Sequence, residues 1–463
     1  MSDRLTRSRL ARTARVARLG ARVGGTWAGT SARKVFASAE RRIELDDRRR
    51  LATAEQVAAE LGQMKGAMMK LGQMASYLDD GLPEPFRMAL ASLRNDAPPM
   101  SPDLAASVVR DQLGDDPTQV FAQWDPEPIA AASIGQVHRA VLVGDDGVER
   151  PVAVKVQYPG VDEAIAADLR NADMLGVLLR QGFGGLDPSE LVEEITQRLT
   201  EELDYRREAE NQAMFADFYR DHPFIHVPEV VTSHSTARVL TSELVNGHTW
   251  DDVMTWDEAE RNAAAETIFR FVFRSLYTMR SFNGDPHPGN YLFHRGGRVT
   301  FLDFGLVKHF TATEMETFET MVRLAAVDHD AAGYRAVLES AGMLQRDAPV
   351  STDEVGAYFS YFYEPVATDR TMTWTPTYAS SIVRHTFDRS SPIAQYATVP
   401  RAFVFIQRIN LGLYALLGEL EATGNYRRIA EELWPFVAAT PSTPAGVAEA
   451  EWLARRRSAA DAQ

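Results

Sequence analysis

Two short stretches constrain this chain more than anything else in it: Asn283-Gly-Asp-Pro-His-Pro-Gly-Asn290 and, twelve residues on, Leu302-Asp-Phe-Gly305. An Asp and an Asn five positions apart, followed by a second Asp in an Asp-Phe-Gly turn, have the spacing of a phosphoryl-transfer site. In such a site one Asp orients the nucleophile, while the Asn and the other Asp hold Mg²⁺ on the phosphates of a nucleotide. These roles fall to Asp285, Asn290 and Asp303. Each half alone is weak, because Asp, Asn, Pro and Gly are ordinary turn residues. The apolar run Val299-Thr-Phe-Leu302 leads straight into the second Asp, and a simple turn does not explain both halves together.

Composition closes off several other chemistries. The 463 residues contain no cysteine, which excludes disulfides, thiolate catalysis and cysteine-ligated zinc or iron–sulfur sites. The ten His residues show no metal-ligand spacing, so the metal expected is Mg²⁺ carried with ATP. The net charge of −15 is uneven: residues 1–50 hold 14 Lys plus Arg against 5 Asp plus Glu, leaving −24 for the rest. So acidic a body argues against nucleic acid as a partner. No apolar run approaches the ~20 residues that cross a bilayer, and the N-terminus lacks the apolar core of a secretory signal. These absences read as a cytoplasmic protein, with peripheral contact at the inner face of the membrane as the variant.

Lysine occurs only at 34, 65, 70, 155 and 308, while arginine is plentiful. A lysine retained against that bias suggests a need for a compact ammonium that the planar guanidinium cannot replace. Lys155 stands in Val152-Ala-Val-Lys-Val156, an apolar strand pattern. A buried amine without a partner is costly, so it needs an anion, as does the strand lysine of kinases that holds phosphates and pairs with a helix glutamate. Glu208, in the acidic run 201–211, is the candidate partner; a solvated acidic face is the ordinary alternative.

Along the chain, residues 4–24 read as a basic amphipathic helix, with Arg4, Arg7, Arg15, Arg18 and Arg22 on one side and Leu5, Val16, Leu19 and Val23 a quarter-turn away. An anionic lipid surface, a solvated basic tail and an organelle transit segment all fit it. A second helix, 53–79, buries Val57, Leu61, Met64, Met68, Leu71, Ala75 and Leu78. Its other face carries Gly62, Gly66, Lys70, Gln73 and Tyr77, and two glycines there suggest a close approach. A proline-rich linker (95–102) and a short helix (103–113) follow. Residues 128–138 read as a loop entering a strand. Strands 137–143 and 151–157 form a hairpin around Gly144-Asp-Asp-Gly147. Helical patterns cover 162–181 and 188–219; strands are expected at 225–231 and 237–244. Long core helices are expected at 313–345 and 400–437, and the tail after about 440 reads as frayed.

The order of these pieces resembles the AarF/UbiB family of atypical, protein-kinase-like proteins, which includes the mitochondrial coenzyme Q kinases. Four motifs carry the resemblance: Lys70-Leu-Gly-Gln73, Ala130-Ala-Ala-Ser-Ile-Gly-Gln-Val-His138, Glu202-Leu-Asp204, and the pair Asp285–Asn290 and Asp303–Gly305. The match runs in register from about 55 to 310. It implies an α+β, protein-kinase-like bilobal fold: a small antiparallel-sheet N-lobe and a mostly helical C-lobe, with an added N-terminal helical extension. The corresponding segments are a basic N-terminus (1–50), the Lys-x-Gly-Gln extension (51–100), the N-lobe (101–245), the C-lobe (246–440) and the tail (441–463).

Carried over residue by residue, the resemblance makes Asp285, Lys155 and Glu208 the catalytic group, and Asn290 and Asp303 the Mg²⁺ ligands. Nucleotide contacts fall to Ala130, Ala131, Ala132, Ser133, Ile134, Gly135, Gln136 and Val137, to Lys155, and to Glu243, Leu244 and Val245 at the hinge. Lys70, Gln73, Glu202 and Asp204 are implied as regulatory, the Lys70 helix folding across the site where a protein substrate would otherwise bind. His287, between two prolines, is read mainly as stiffening its loop. The alanines replace the glycines usual over the phosphates, and alanine resists positive φ. Nothing after 310 matches the membrane-spanning helix pair of some bacterial members, and Gly284 is a minor departure. The function implied is a Mg-ATP kinase or ATPase supporting isoprenoid-quinone or lipid metabolism, with lipid and quinone enzymes as partners. The alternatives are a nucleotide-binding scaffold that organises partner enzymes, or a small-molecule phosphotransferase; the oligomeric state is not specified.

Overall fold

A computed structural model describes residues 100–132, 134–144, 146–161, 203–284, 286–387, 391–393, 395–398 and 401–461. The readings placed on 4–24, 53–79 and 162–181 lie outside the described residues, as do most of the 95–102 linker and the first part of the 188–219 helix, whose described part is helical over Tyr205–Phe218. The chain divides into two compact units: the first takes residues up to Glu210 together with Val230–Leu244, the second Asn211–Glu229 together with Val245 onward.

The first unit is built on a four-stranded antiparallel sheet, ordered β1 (Gln123–Ala132), β2 (Gly135–Val143), β3 (Glu149–Gln157), β5 (Val239–Glu243). In β3 the side-chain period of two puts Val152, Val154 and Val156 on one face, all buried. Helix α1 (Pro102–Leu113) covers that face with Ala105, Val108 and Val109, joined by Ala140, Leu142 and Val239. A left-handed Gly114 (φ 93) ends α1, its amide donating to Arg110 O. Lys155 therefore lies on the opposite face, and the cross-strand register puts it opposite Val137 and Leu240. Helix α2 (Tyr205–Phe218) begins in this unit, and Tyr205 and Ala209 pack with Ile134, Val161 and Leu240.

One expectation fails here. The alanine-rich stretch is not a loop: Ala130, Ala131 and Ala132 end β1 and pair with Val137, Gln136 and Gly135, leaving a tight hairpin. β1 is an edge strand with register shifts between Trp124 and Pro128 and between Pro128 and Ala130, which is how a sheet tolerates two prolines.

The second unit packs helices around a single apolar core, with three small strand groups among the described residues, one of them the two-residue pair Met372–Thr373 with Thr423–Gly424. Strands β7 (Tyr291–Phe293) and β8 (Val299–Phe301) pair antiparallel, and the two-residue β4 (Ile225–His226) joins β8 in parallel; β6 (Ser281–Asn283) pairs with β9 (Val307–His309). The strand expected over 225–231 is thus reduced to two residues. Helix α3 (Glu258–Arg274) runs through the core into a π-helical turn that ends at left-handed Arg280 (φ 50). Neither long helix is continuous. The first is split into α4 (Ala312–Val322), a π turn and α5 (Ala331–Ser340), with His329 at φ 52; the second ends as α6 (Arg401–Glu419), then Glu421 at φ 49, then α7 (Tyr426–Leu433).

The C-terminal stretch is a second correction. Residues Pro444–Asp461 form helix α8, and Glu449 and Trp452 are each 1% exposed. Arg270 and Arg274 of α3 reach the Glu449 carboxylate at 2.9 Å and 3.1 Å, Glu432 pairs with Arg270 at 2.8 Å, and Trp452 Nε1 donates to Arg220 O at 3.0 Å. A polar anchor replaces the apolar stripe that sequence reading looks for. His222 Nδ1 accepts from Ile225 N (3.0 Å), so its proton is on Nε2, 3.7 Å from Glu449. Burial lowers the His222 pKa from the ordinary 6.5. Burial alone would raise the Glu449 carboxyl, but the His222 imidazole, Arg274 and Arg270 hold it well below its ordinary 4.5. Both groups are depressed in the folded state, so both take protons more readily when unfolded, and stability falls with falling pH. Urea midpoints of the whole chain are expected to drop first below pH 6.5 and more steeply below 4.5. Glu449→Gln is expected to cost about 3 kcal/mol at neutral pH and to flatten the acid limb; an unchanged midpoint would remove the anchor from the account.

Candidate active site

In the first unit, Lys155 Nζ meets both carboxylate oxygens of Glu208, at 2.8 and 2.9 Å. The side chains are 17% and 6% exposed, so the strand amine has the anion partner that its burial demands. The ring of Tyr205 lies 5.1 Å from the ammonium, and Asp204 caps the helix that presents Glu208, its carboxylate accepting from Arg206 N at 3.1 Å. Asp204, read from the sequence as regulatory, is thus part of the start of α2; its motif partner Glu202 is outside the described residues, as are Lys70 and Gln73.

The strand registers sort the nucleotide candidates by face. Residues directly opposite in a sheet share a face, so Ala130, Val137 and Lys155 lie together on one side, and Ala131 and Gln136 on the other. Gln136 is 1% exposed on the α1 side; its Oε1 accepts from Met100 N (2.8 Å) and its Nε2 donates to His138 Nε2 (2.9 Å). The Gln136 side chain is therefore turned away from Lys155 and committed elsewhere. His138 Nδ1 then donates to Asp125 O at 2.9 Å, and Trp124 stacks on the ring at 4.6 Å. Gly135 is held by space: a Cβ there would sit 2.3 Å from Val156 O and 2.8 Å from Tyr205 Oη. Ile134 is buried among Tyr205 and Leu240 rather than facing solvent. Ser133 lies outside the described residues. Glu243 pairs across from Val152, and Leu244 N donates to Pro151 O at 3.1 Å; Val245 opens the second unit.

In the second unit, β7 and β8 bring the two halves of the motif together. Tyr291 pairs with Phe301, and Leu302 N donates to Asn290 O at 3.0 Å, so Asn290 and Asp303 sit at adjacent ends of one hairpin. Asp303 Oδ1 accepts from Gly305 N at 2.9 Å, which closes the Asp-Phe-Gly turn. The loop before Asn290 is tied at its start by Gly284 N to Leu306 O (2.7 Å) and by Asn283 Nδ2 to Asp303 O (2.6 Å). His287 Nδ1 accepts from Gly289 N at 3.0 Å and caps the short 3₁₀ turn Pro288–Asn290, the stiffening role expected for it. Asp285 itself lies outside the described residues.

Two positioning groups escaped the sequence reading. Asn211 donates to Phe304 O (3.1 Å), and its Oδ1 lies 3.3 Å from His309 Nε2; Asn283 holds the Asp303 carbonyl. Asn211 stands three residues after Glu208 in what reads as an acidic face, and nothing local marks it.

The donor chemistry of Asn290 and Asp303 suits Mg²⁺, which takes oxygen ligands and is commonly held by one or two side chains together with substrate phosphates and water. Among the described residues no group of three His, Asp or Glu forms a metal cage.

Comparison with known proteins returns kinase-like relatives. The ABC1 atypical kinase-like domain family matches residues 92–338. The mitochondrial atypical kinase COQ8B of Rattus norvegicus is 37% identical over 284 residues, 60% of this chain and 52% of that protein. The chloroplastic protein ACTIVITY OF BC1 COMPLEX KINASE 8 of Arabidopsis thaliana is 31% identical over 268 residues, 56% of this chain and 35% of that protein. The chain thus spans about half or less of the length of these relatives. Among solved structures, the complex of Rv3197 with erythromycin from Mycobacterium tuberculosis is 32% identical, with a TM-score of 0.61 over 84% of this chain and 97% of that one.

Proposed function

The chain belongs to the ABC1 atypical kinase-like family and has its kinase-like fold; from that premise we propose that it binds Mg-ATP and transfers the terminal phosphoryl group, to water or to an acceptor in isoprenoid-quinone or lipid metabolism. The observation that carries the reading is the Lys155–Glu208 pair, a two-oxygen contact at 2.8 and 2.9 Å on the sheet face away from the α1 core. A lysine fixed in this way offers one compact charge to phosphate oxygens without paying for side-chain ordering at the moment of binding.

Bound Mg²⁺ would neutralise charge on the transferring phosphate. The chain's own part is then positional. Asn290 and Asp303 supply metal oxygens from adjacent ends of the β7–β8 hairpin, and Asp285 orients the nucleophile. Ala130 and Val137 share the face of Lys155 and floor the phosphates, with Gly135 keeping the hairpin tight. Glu243, Leu244 and Val245 meet the adenine. Lys70 and Gln73 gate the site from the N-terminal helix, against Glu202 and Asp204. The names of the mitochondrial relatives support an isoprenoid-quinone setting. No helix among the described residues is long and apolar enough to cross a membrane, and contact with an anionic lipid surface is assigned to the basic segment 4–24.

Release of phosphate from ATP by the purified chain, with and without anionic liposomes, tests this reading. Turnover that requires Mg²⁺ and rises several-fold with liposomes is expected, and Lys70→Ala is expected to alter nucleotide preference. No turnover under any condition would favour a nucleotide-binding scaffold; turnover indifferent to liposomes would remove the lipid part.

A further inference from the structure

Gly412 lies in the middle of α6 and is buried. Glycine inside a helix costs about 1 kcal/mol relative to alanine, and Gly412 is not among the residues with positive φ, so backbone conformation does not call for it. Space does. A Cβ at this position would lie 2.4 Å from Cγ of Pro286, 3.4 Å from its Cβ and 3.6 Å from its Cδ. The first of these is far inside the 3.5–4.0 Å at which carbon atoms rest. The helix cannot easily retreat, because Leu413, Leu416 and Leu417 beside Gly412 are buried in the core of the second unit.

Pro286 is the residue after Asp285, and it too is buried. Its loop is already tied at both ends, by Asn283 and Gly284 at the start and at the far side by Asn290 N to His287 O (2.9 Å) and Leu302 N to Asn290 O. Between those ties the proline ring against bare helix backbone is the middle support.

We propose that Gly412 is a positioning residue: the absence of a side chain there makes a seat for the Pro286 ring and thereby sets the loop from Pro286 to Asn290 against Asp303. The structural statement stands alone; its catalytic meaning rests on the phosphoryl-transfer reading above. Gly418, in the same helix, supplies a contrast, since a Cβ there would meet Thr375 O at 2.9 Å, on a different segment.

The test compares Gly412→Ala, Pro286→Ala, the double variant and Gly418→Ala in the full chain. It reads kcat and KM for ATP, thermal melting, and hydrogen exchange in peptides covering 284–292. Pro286→Ala deletes Cγ and Cδ and keeps Cβ, so the double variant has room that Gly412→Ala lacks. Gly412→Ala is expected to lower kcat about a hundred-fold, as a displacement near 1 Å does, with KM within about threefold, and to speed exchange in the loop. The double variant is expected to return to within about threefold of Pro286→Ala alone on both readouts. Gly418→Ala is expected to lower the melting temperature without changing kcat or loop exchange. The seat is refuted if Gly412→Ala leaves loop exchange unchanged, or if the double variant is no better than Gly412→Ala. Should Gly412→Ala fail to fold, the double variant decides: recovery of a folded chain supports the seat, and failure of both refutes it. If the wild-type chain shows no ATP turnover, the functional reading fails, while the exchange pattern still decides the seat.

Discussion

Asp303→Asn is expected to abolish Mg²⁺-dependent ATP turnover, by about a thousand-fold or more, while leaving the fold intact. The two consequences separate because the side chain has two jobs. Its Oδ1 accepts from Gly305 N at 2.9 Å and shapes the turn, and an asparagine Oδ1 does the same. Its negative charge is what a divalent cation requires, and the neutral amide cannot supply it. Losing one preorganised charge-stabilising group at a phosphoryl-transfer site costs a factor of about 10²–10³, and loss of a metal ligand falls at the upper end. Denaturation midpoints within about 0.5 kcal/mol of wild type, together with lost turnover, are the expected pair. A variant that turns over ATP at the wild-type rate would remove Asp303 from the site. A variant that unfolds would mean that its carboxylate is structural.

The second large effect concerns Lys155 and Glu208, and here stability and activity are expected to come apart. Glu208 is 5% exposed. Lys155→Met leaves its carboxylate buried without the ammonium, and breaking such a pair costs about 3–5 kcal/mol. Replacing both residues, Lys155→Met with Glu208→Leu, removes the stranded charge and is expected to recover most of that loss. Turnover is expected to fall about a hundred-fold or more in both variants, since neither offers an ammonium to phosphate oxygens. Urea titration and phosphate release on the same preparations check the pair. A double variant as unstable as Lys155→Met would show that Glu208 has a structural role of its own, and retained turnover without Lys155 would contradict its assignment.

How much of this was legible in the sequence depends on whether a feature is local. The alternation Val152-Ala-Val-Lys-Val156 showed both the strand and the odd residue on it, and the structure finds the partner in the acidic run where it was sought. The meeting of the Asn290 and Asp303 segments was legible because turn residues at fixed spacing flank an apolar strand, and β7 and β8 do pair; their role toward a metal is a proposal. The α+β class was implied by the family resemblance rather than by any one pattern, and the Gly144–Gly147 turn does join β2 to β3.

What failed had competing local signals. Ala130–Ala132 looked like a loop because alanine is a poor strand former and Pro126 and Pro128 precede it; an edge position with two register shifts accommodates them. Helix α8 was read as frayed because its large buried side chains are Glu449 and Trp452 among alanines and arginines, an anchor made by charge pairing with α3. The breaks at His329 and Glu421 carry no glycine, although a left-handed residue ends the segment in each case. Gln136 was assigned to phosphate by motif position alone. The period of two places it on the other face from Lys155, where it binds Met100. Asn211 and Gly412 were invisible for a different reason: each matters only through a residue far away in sequence, Phe304 in one case and Pro286 in the other.

The measurement that tests the central claim most directly is calorimetric titration of ATP into the full chain, with and without Mg²⁺, beside Asp303→Asn and Lys155→Met. Binding does not depend on the identity of the acceptor, so it isolates the nucleotide site from the rest of the reading. The account predicts one saturable site per chain, tighter with Mg²⁺, with the Mg²⁺ effect lost in Asp303→Asn and affinity reduced in Lys155→Met. No binding by the wild-type chain, or binding that neither substitution changes, would contradict it.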